Sequence, residues 1–176
     1  INFNKLSNEV LKINFDANIQ DNSDSEITFK SIDSQIEFDG KIRISKTNHL
    51  YLDSLKLNNS KNVKINISGD LSERILNLSI HGEMIDLSMN KISTKKKIKE
   101  HYLSKENYKI KTDKAIFIGG VKVDNFKAGI SKQGELLSVN SKSSINDHTL
   151  DYSREKNEKV DINLISSSDI TYFVNN

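Results

Sequence analysis

The sequence predicts a mainly all-β chain: an elongated, curved antiparallel sheet whose apolar face forms a groove. Three observations carry that prediction. Apolar residues alternate with polar ones over most of the length, and period-two spacing sends alternate side chains to opposite faces of a strand. Turn signals recur at intervals of about 8–14 residues. Hydrophobic residues make up only 35 % of the chain and come in short runs, which suits a thin sheet more than a thick core. A compact sandwich is the alternative that the same pattern allows.

The alternation opens with Leu11, Ile13, Phe15, Ala17 and Ile19, separated by Lys12, Asn14, Asp16 and Asn18. It continues at Ile27-Phe29, Ile36-Phe38, Ile42-Ile44, Leu50-Leu52, Leu55-Leu57 and Val63-Ile65-Ile67. Further runs are Leu76-Leu78-Ile80, Ile85-Leu87-Met89, Ile116-Ile118, Val121-Val123, Phe126-Ala128-Ile130 and Val160-Ile162-Leu164. Each has one greasy face and one wet face, the pattern of antiparallel strands. Asp39-Gly40, Ser68-Gly69-Asp70, His81-Gly82, Gly119-Gly120, Lys132-Gln133-Gly134 and Asn146-Asp147 read as the reversals between them. Ile118-Gly119-Gly120-Val121 is the clearest hairpin, because glycine supplies the positive φ that a tight turn requires. After His81-Gly82 the apolar phase moves from even to odd positions, which a turn there would explain. About 12 to 14 strands result.

Two stretches depart from the β pattern. Ile98, Tyr102 and Leu103 fit one face of a short helix near residues 92–105, with Ser93 or Thr94 as its cap. Ser167-Ser168-Asp169-Ile170 reads as a helix start with Ser168 or Asp169 as cap. The expected organisation is an antiparallel β section over 1–90, a Lys-rich linker or short helix over 91–105, and a second β section over 106–176.

Composition narrows the function. With no cysteine, the chain has no disulfide, thiolate nucleophile or cysteine-ligated metal. A formal net charge of +2 supplies no field that would draw it to nucleic acid. No apolar stretch approaches the roughly 20 residues that span a bilayer. The chain begins Ile1-Asn2-Phe3 with no signal core, so it reads as a piece of a longer protein, with any signal or anchor outside it.

Catalytic patterns are missing. His49, His81, His101 and His148 show no metal-ligand spacing and read as surface or turn histidines. No nucleophile elbow and no phosphate-cradling glycine loop occurs. Asp21, Asp24 and Glu26 lack the glycine and terminal glutamate of a calcium loop. Lys95-Lys96-Lys97 and Lys99 form a basic run that reads as a solvated linker or as a contact to anionic headgroups. The expectation is a protein that is not an enzyme and uses no cofactor or metal.

Residues Leu50 to Met89 also carry a resemblance. Gly69-Asp70 lies on one strand, and Gly82-Glu83-Met84-Ile85-Asp86-Leu87 on the next. This order resembles the AsmA-like superfamily, in particular the large YhdP-type envelope proteins with an AsmA-like C-terminal region. Tyr108 to Ile118, Gly120 and Phe126 to Ile130 look like that family's paired strands around a glycine turn. Val160-Asp161-Ile162-Asn163-Leu164 leads to Ser167-Ser168-Asp169, like its strand ending in Ser-x-Asp; Thr171 stands where the family often has glycine.

The resemblance implies a section of a bridge-like lipid-transport protein in the periplasm of a diderm bacterium. It would be anchored to the inner membrane by a segment outside this piece. Its partners would be phospholipid acyl chains and neighbouring β segments of the parent chain, with no nucleic acid. The residues expected to face the groove are Ile65, Ile67, Leu76, Leu78, Ile80, Ile85, Leu87, Ile116, Ile118, Val121, Val123, Phe126 and Ile130. The competing expectations are a closed β-sandwich or solenoid module, and a groove of the lipopolysaccharide-transport type.

Overall fold

The computed structural model describes residues 12–20, 23–32, 36–47, 49–59, 64–87 and 103–168. These residues form one open, curved sheet of eleven strands in simple sequence order, with no second layer. The strands are β1 Lys12–Asn18, β2 Ser25–Ile32, β3 Ile36–Ile44, β4 Leu50–Asn59, β5 Lys64–Ser72 and β6 Ile75–Asp86. They continue as β7 Lys105–Ile116, β8 Lys122–Gln133, β9 Leu136–Ile145, β10 His148–Lys156 and β11 Asp161–Ser167. Among the described residues there is no α-helix, and no helix long and apolar enough to cross a membrane.

Every neighbouring pair is antiparallel except β6 and β7, which run parallel from Ile75↔Lys105 to Asp86↔Ile116. A parallel pair needs a crossover rather than a hairpin. The chain leaves β6 at Leu87, whose N–H donates to the Ile116 carbonyl at 2.7 Å. It returns at the other end of the strands, where the Ser104 N–H and hydroxyl both donate to the Arg74 carbonyl, at 2.8 Å and 3.1 Å. The β pattern on either side of the linker therefore belongs to one sheet. Residues 92–102 of the expected helix lie outside the described residues, as does the basic run Lys95–Lys99; Lys105 already opens β7. The expected C-terminal helix lies beyond Ser168, also outside them.

Three expected turns are not turns. Asp39-Gly40, Ser68-Gly69-Asp70 and His81-Gly82 lie inside β3, β5 and β6. Glycine serves close approach there instead of reversal. A Cβ on Gly69 would sit 2.0 Å from the Asn77 carbonyl oxygen, so β5 and β6 meet there only because the side chain is missing. Gly40 lies beneath the Phe29 ring, which a Cβ would penetrate. The expected reversals at Gly119-Gly120, Gly134 and Asn146-Asp147 do connect strands. Asn146 and Asp147 take φ of 46° and 65°, the left-handed pair that a two-residue hairpin needs. An equivalent turn at Glu73 and Arg74, with φ of 47° and 66°, has no glycine or asparagine to announce it.

The phase change after His81-Gly82 has a different cause from the one expected. β6 runs straight through it, and the spacing of its inward positions stretches from two to three between Gly82 and Ile85. β7 does the same between Thr112 and Ala115, and β8 between Val123 and Phe126. The registers Gly82↔Thr112↔Phe126 and Ile85↔Ala115↔Val123 keep the three irregularities aligned. The offset ends at β9, where the β8 register shifts between Asp124 and Lys127. Asn125 takes φ of 53° at that point. A separate bulge at Asp53-Ser54 lets β4 carry Leu52 and Leu55 on one face. Bulges bend a strand and strengthen its twist.

Candidate functional site

The register rows place the apolar side chains on one, concave face. Phe38↔Leu57↔Ile65 and Leu55↔Ile67↔Ile80↔Ile110↔Ala128 are two of these rows. The deepest residues are Leu57, Ile67, Ile80, Ile85, Ala115, Val123 and Phe126, packed with Phe38, Leu52, Leu55, Ile65, Leu78, Leu87, Ile110, Phe117, Ala128 and Ile145. Phe117 and Phe126 meet edge to face at 5.3 Å.

Exposure changes along this face. In its middle, Ala115, Val123 and Phe126 are 0 %, 3 % and 5 % exposed, covered by side chains of the same sheet. Towards β1 the face opens through a staircase of rings, Phe38 to Phe29 at 6.2 Å and Phe29 to Phe15 at 6.3 Å, ending at Phe15, 68 % exposed.

Of the residues expected to line a groove, Ile65, Ile67, Leu76, Leu78, Ile80, Ile85, Leu87, Val121, Val123, Phe126 and Ile130 fall on the concave face. Ile116 does not. It pairs with Asp86 and Lys122 on the opposite face, because the bulge in β7 moves the inward positions to Ala115 and Phe117. The side chain of Ile118 lies outside the described residues. The groove list left out Phe29, Phe38, Leu52, Leu55, Leu57 and Ala128, which the alternation had already put on an apolar strand face, and Ile110, Ala115, Phe117 and Ile145, which no alternating run contained. For β4, β7 and β8 the available signal was an in–out–out–in pattern, as in Leu52-Asp53-Ser54-Leu55 and Val123-Asp124-Asn125-Phe126.

One rim of the face is polar. The Tyr108 hydroxyl donates to Glu106 at 2.5 Å, and Lys132 pairs with Glu106 at 3.4 Å. Burial of the ring, helped by the Glu106 carboxylate, pushes the Tyr108 phenol up to about 12. At the far end β10 turns Tyr152, Arg154 and Lys156 to the concave side. Arg154 grips Asp161 of β11 through two bonds of 2.9 Å and 2.7 Å, and the Tyr152 hydroxyl donates to Asn163 at 2.8 Å. The Arg154 hydrogen bonds hold the Asp161 carboxyl below the usual carboxylate range. β11 then inverts the pattern: Ile162 and Leu164 pair with Glu155 and Ser153 on the convex side.

The convex face is polar and cross-linked. Arg43 bridges Asp24 and Asp53, each at 3.2 Å, and its guanidinium lies 4.3 Å from the Tyr51 ring centre. His49 stacks on Tyr51 at 4.3 Å and reaches Asp70 at 3.2 Å. Glu26, from the sequence's acidic group, pairs with Lys41 at 2.7 Å. Among the described residues no group of three His, Cys, Asp or Glu side chains could hold a metal ion. The arrangement can shelter hydrocarbon on one side while meeting water on the other.

Comparison of the chain with protein-family models, curated proteins and solved structures finds no match in any of the three.

Proposed function

We propose that this chain is a section of a lipid-carrying groove, in which the concave face shields phospholipid acyl chains and the convex face meets water. The observation that carries the reading is the apolar face running from Phe15 in β1 to Ile145 in β9, open towards β1 and with no second layer over it among the described residues. A soluble sheet with one greasy face needs a cover, and an acyl chain supplies one. Each buried methylene contributes about 0.8 kcal/mol, spread over many similar contacts, so a lipid can shift along the face without a single deep trap. The likeness of Gly69-Asp70 and Gly82-Glu83-Met84-Ile85-Asp86-Leu87 to YhdP-type proteins supports a periplasmic setting between two membranes. The same likeness favours phospholipid over lipopolysaccharide.

A second reading has its own observation. The near-complete burial of Ala115 and Val123 favours a self-filled core of a structural or interaction module. Native mass spectrometry with lipid extraction, after expression in a diderm host, separates the two. The groove reading expects co-purifying phospholipid that is lost in Leu78→Asp, a partly buried position. Ile67, at 6 % exposure, is the poorer target because a buried charge there would unfold the sheet. A lipid-free chain, or an unchanged lipid load in Leu78→Asp, overturns the groove.

A further inference from the structure

Thr112 is the one polar residue among the buried side chains of the described residues, 3 % exposed, and its hydroxyl has no hydrogen-bond partner. Buried polar atoms are nearly always paired, so an orphan at the centre of an apolar face needs an explanation. Thr112 lies in the row Gly82↔Thr112↔Phe126, where the aligned irregularities of β6, β7 and β8 begin. Gly82 brings no side chain to that row, and Phe126 brings an aromatic ring. One step along the strands lie Ile110 on one side and Ala115 on the other, both apolar.

Water is a poor partner for this hydroxyl. A buried water needs two to four polar partners, and this row offers one. An acceptor carried on an otherwise apolar molecule fits better, because the rest of that molecule is satisfied by the hydrocarbon around it. The hydroxyl is already out of water, so its desolvation adds nothing further when an acceptor arrives. Among the described residues no second layer of protein lies over this row, but the oxygen is closed off by side chains of its own face, so an acceptor reaches it only by displacing some of them.

We infer that Thr112 is a hydrogen-bond foothold in the apolar face, donating to the ester carbonyl oxygen of an acyl-linked lipid. This rests on the groove reading and deepens it. The acyl chain would lie along Ile80, Ile110 and their neighbours, while the carbonyl stops at the Thr112 row. A face that is otherwise uniform would thereby acquire one preferred position along its length.

The test uses the whole chain and two probes of equal chain length: an ester-linked lysophosphatidylcholine, and its ether-linked analogue, which lacks the carbonyl. Isothermal titration calorimetry is expected to give an ester preference of about five-fold in the wild type, the yield of one ordinary hydrogen bond. The ratio should fall to about one in Thr112→Val and be kept in Thr112→Ser. Equal affinities in the wild type overturn the foothold, as does a preference that survives in Thr112→Val. Failure of both probes to bind the wild type overturns the groove itself, a result distinct from a lost preference.

Discussion

The side-chain amide of Asn107 donates to the Asn77 oxygen at 2.8 Å across the seam between β6 and β7, the one parallel pairing in the sheet. Asn77 in turn donates to Asp70 at 3.2 Å, and Ser131 donates to Asn107 at 3.0 Å. With His49, just before β4, on Asp70, the convex side carries a polar ladder that runs through to β8. Removing Asn107 takes a partner from two neighbours at once. Asn107→Ala should cost about 1–2 kcal/mol, read as a lower urea midpoint. Asn163→Ala, which loses only exposed bonds, to Tyr152 and to Asp161, should cost less.

Glycines in strands divide by what surrounds them. Gly69→Ala drives a methyl into the Asn77 carbonyl and should destabilise by about 1–3 kcal/mol. Gly129, inside β8, has nothing within 4 Å of its Cβ position. Gly129→Ala should stabilise by about 0.5 kcal/mol by limiting the unfolded chain. Thermal melts of the two variants must move in opposite directions.

The unpaired Thr112 hydroxyl weakens the lipid-free sheet. Thr112→Val replaces it with a methyl group of similar shape and should raise stability by about 1 kcal/mol. Denaturant unfolding of delipidated protein reads this directly. A loss of stability would mean that the hydroxyl is paired in solution.

The clamp between Arg154 and Asp161 is pH-dependent. The folded carboxyl sits below its unfolded value of about 3.9, so its contribution is present above that value and is lost as pH falls through the folded one. Amide exchange at Ile162 and Leu164 should therefore speed up relative to that of β10 as pH drops below about 4. In Asp161→Asn the contrast between the strands should no longer change with pH.

Among the described residues β11 is the last strand of the sheet and has little protection. Ile162 and Leu164 are 49 % and 63 % exposed on the convex side, and Ile165 is 66 % exposed on the concave side. Apolar edges recruit other strands, and natural proteins blunt them with lysine. Leu164→Lys should reduce concentration-dependent association in sedimentation velocity while leaving the circular dichroism spectrum unchanged.

Alternation made the sheet legible. Its period reports which side chains share a face, and strands such as β2 and β5 follow it. Glycine was the less faithful sign. At Gly119-Gly120 and Gly134 it marks a positive φ, and at Gly40, Gly69 and Gly82 it marks contact between neighbouring strands, a distinction set by cross-strand partners far away in sequence. The face of Ile116 failed for a related reason, since one extra residue in β7 reverses every position beyond it. Parallel pairing of β6 with β7 leaves no trace in either strand's own alternation. Thr112 was hidden as well: a lone threonine in a polar-looking run shows its burial only once Phe126 is placed beside it.

The same seam divides the order of assembly. β1 to β6 and β7 to β11 are each built from consecutive antiparallel neighbours, and several of these, such as β5–β6 and β9–β10, are joined by two-residue turns. Such units zip quickly because every closure is local. Joining β6 to β7 requires closing the whole stretch from Leu87 to Ser104 before any seam hydrogen bond forms, a cost in entropy that the hairpins do not face. Folding should thus run as two independent zippers that dock in a final, slower step. The pairing that makes the sheet continuous is the last to arrive and the first to part.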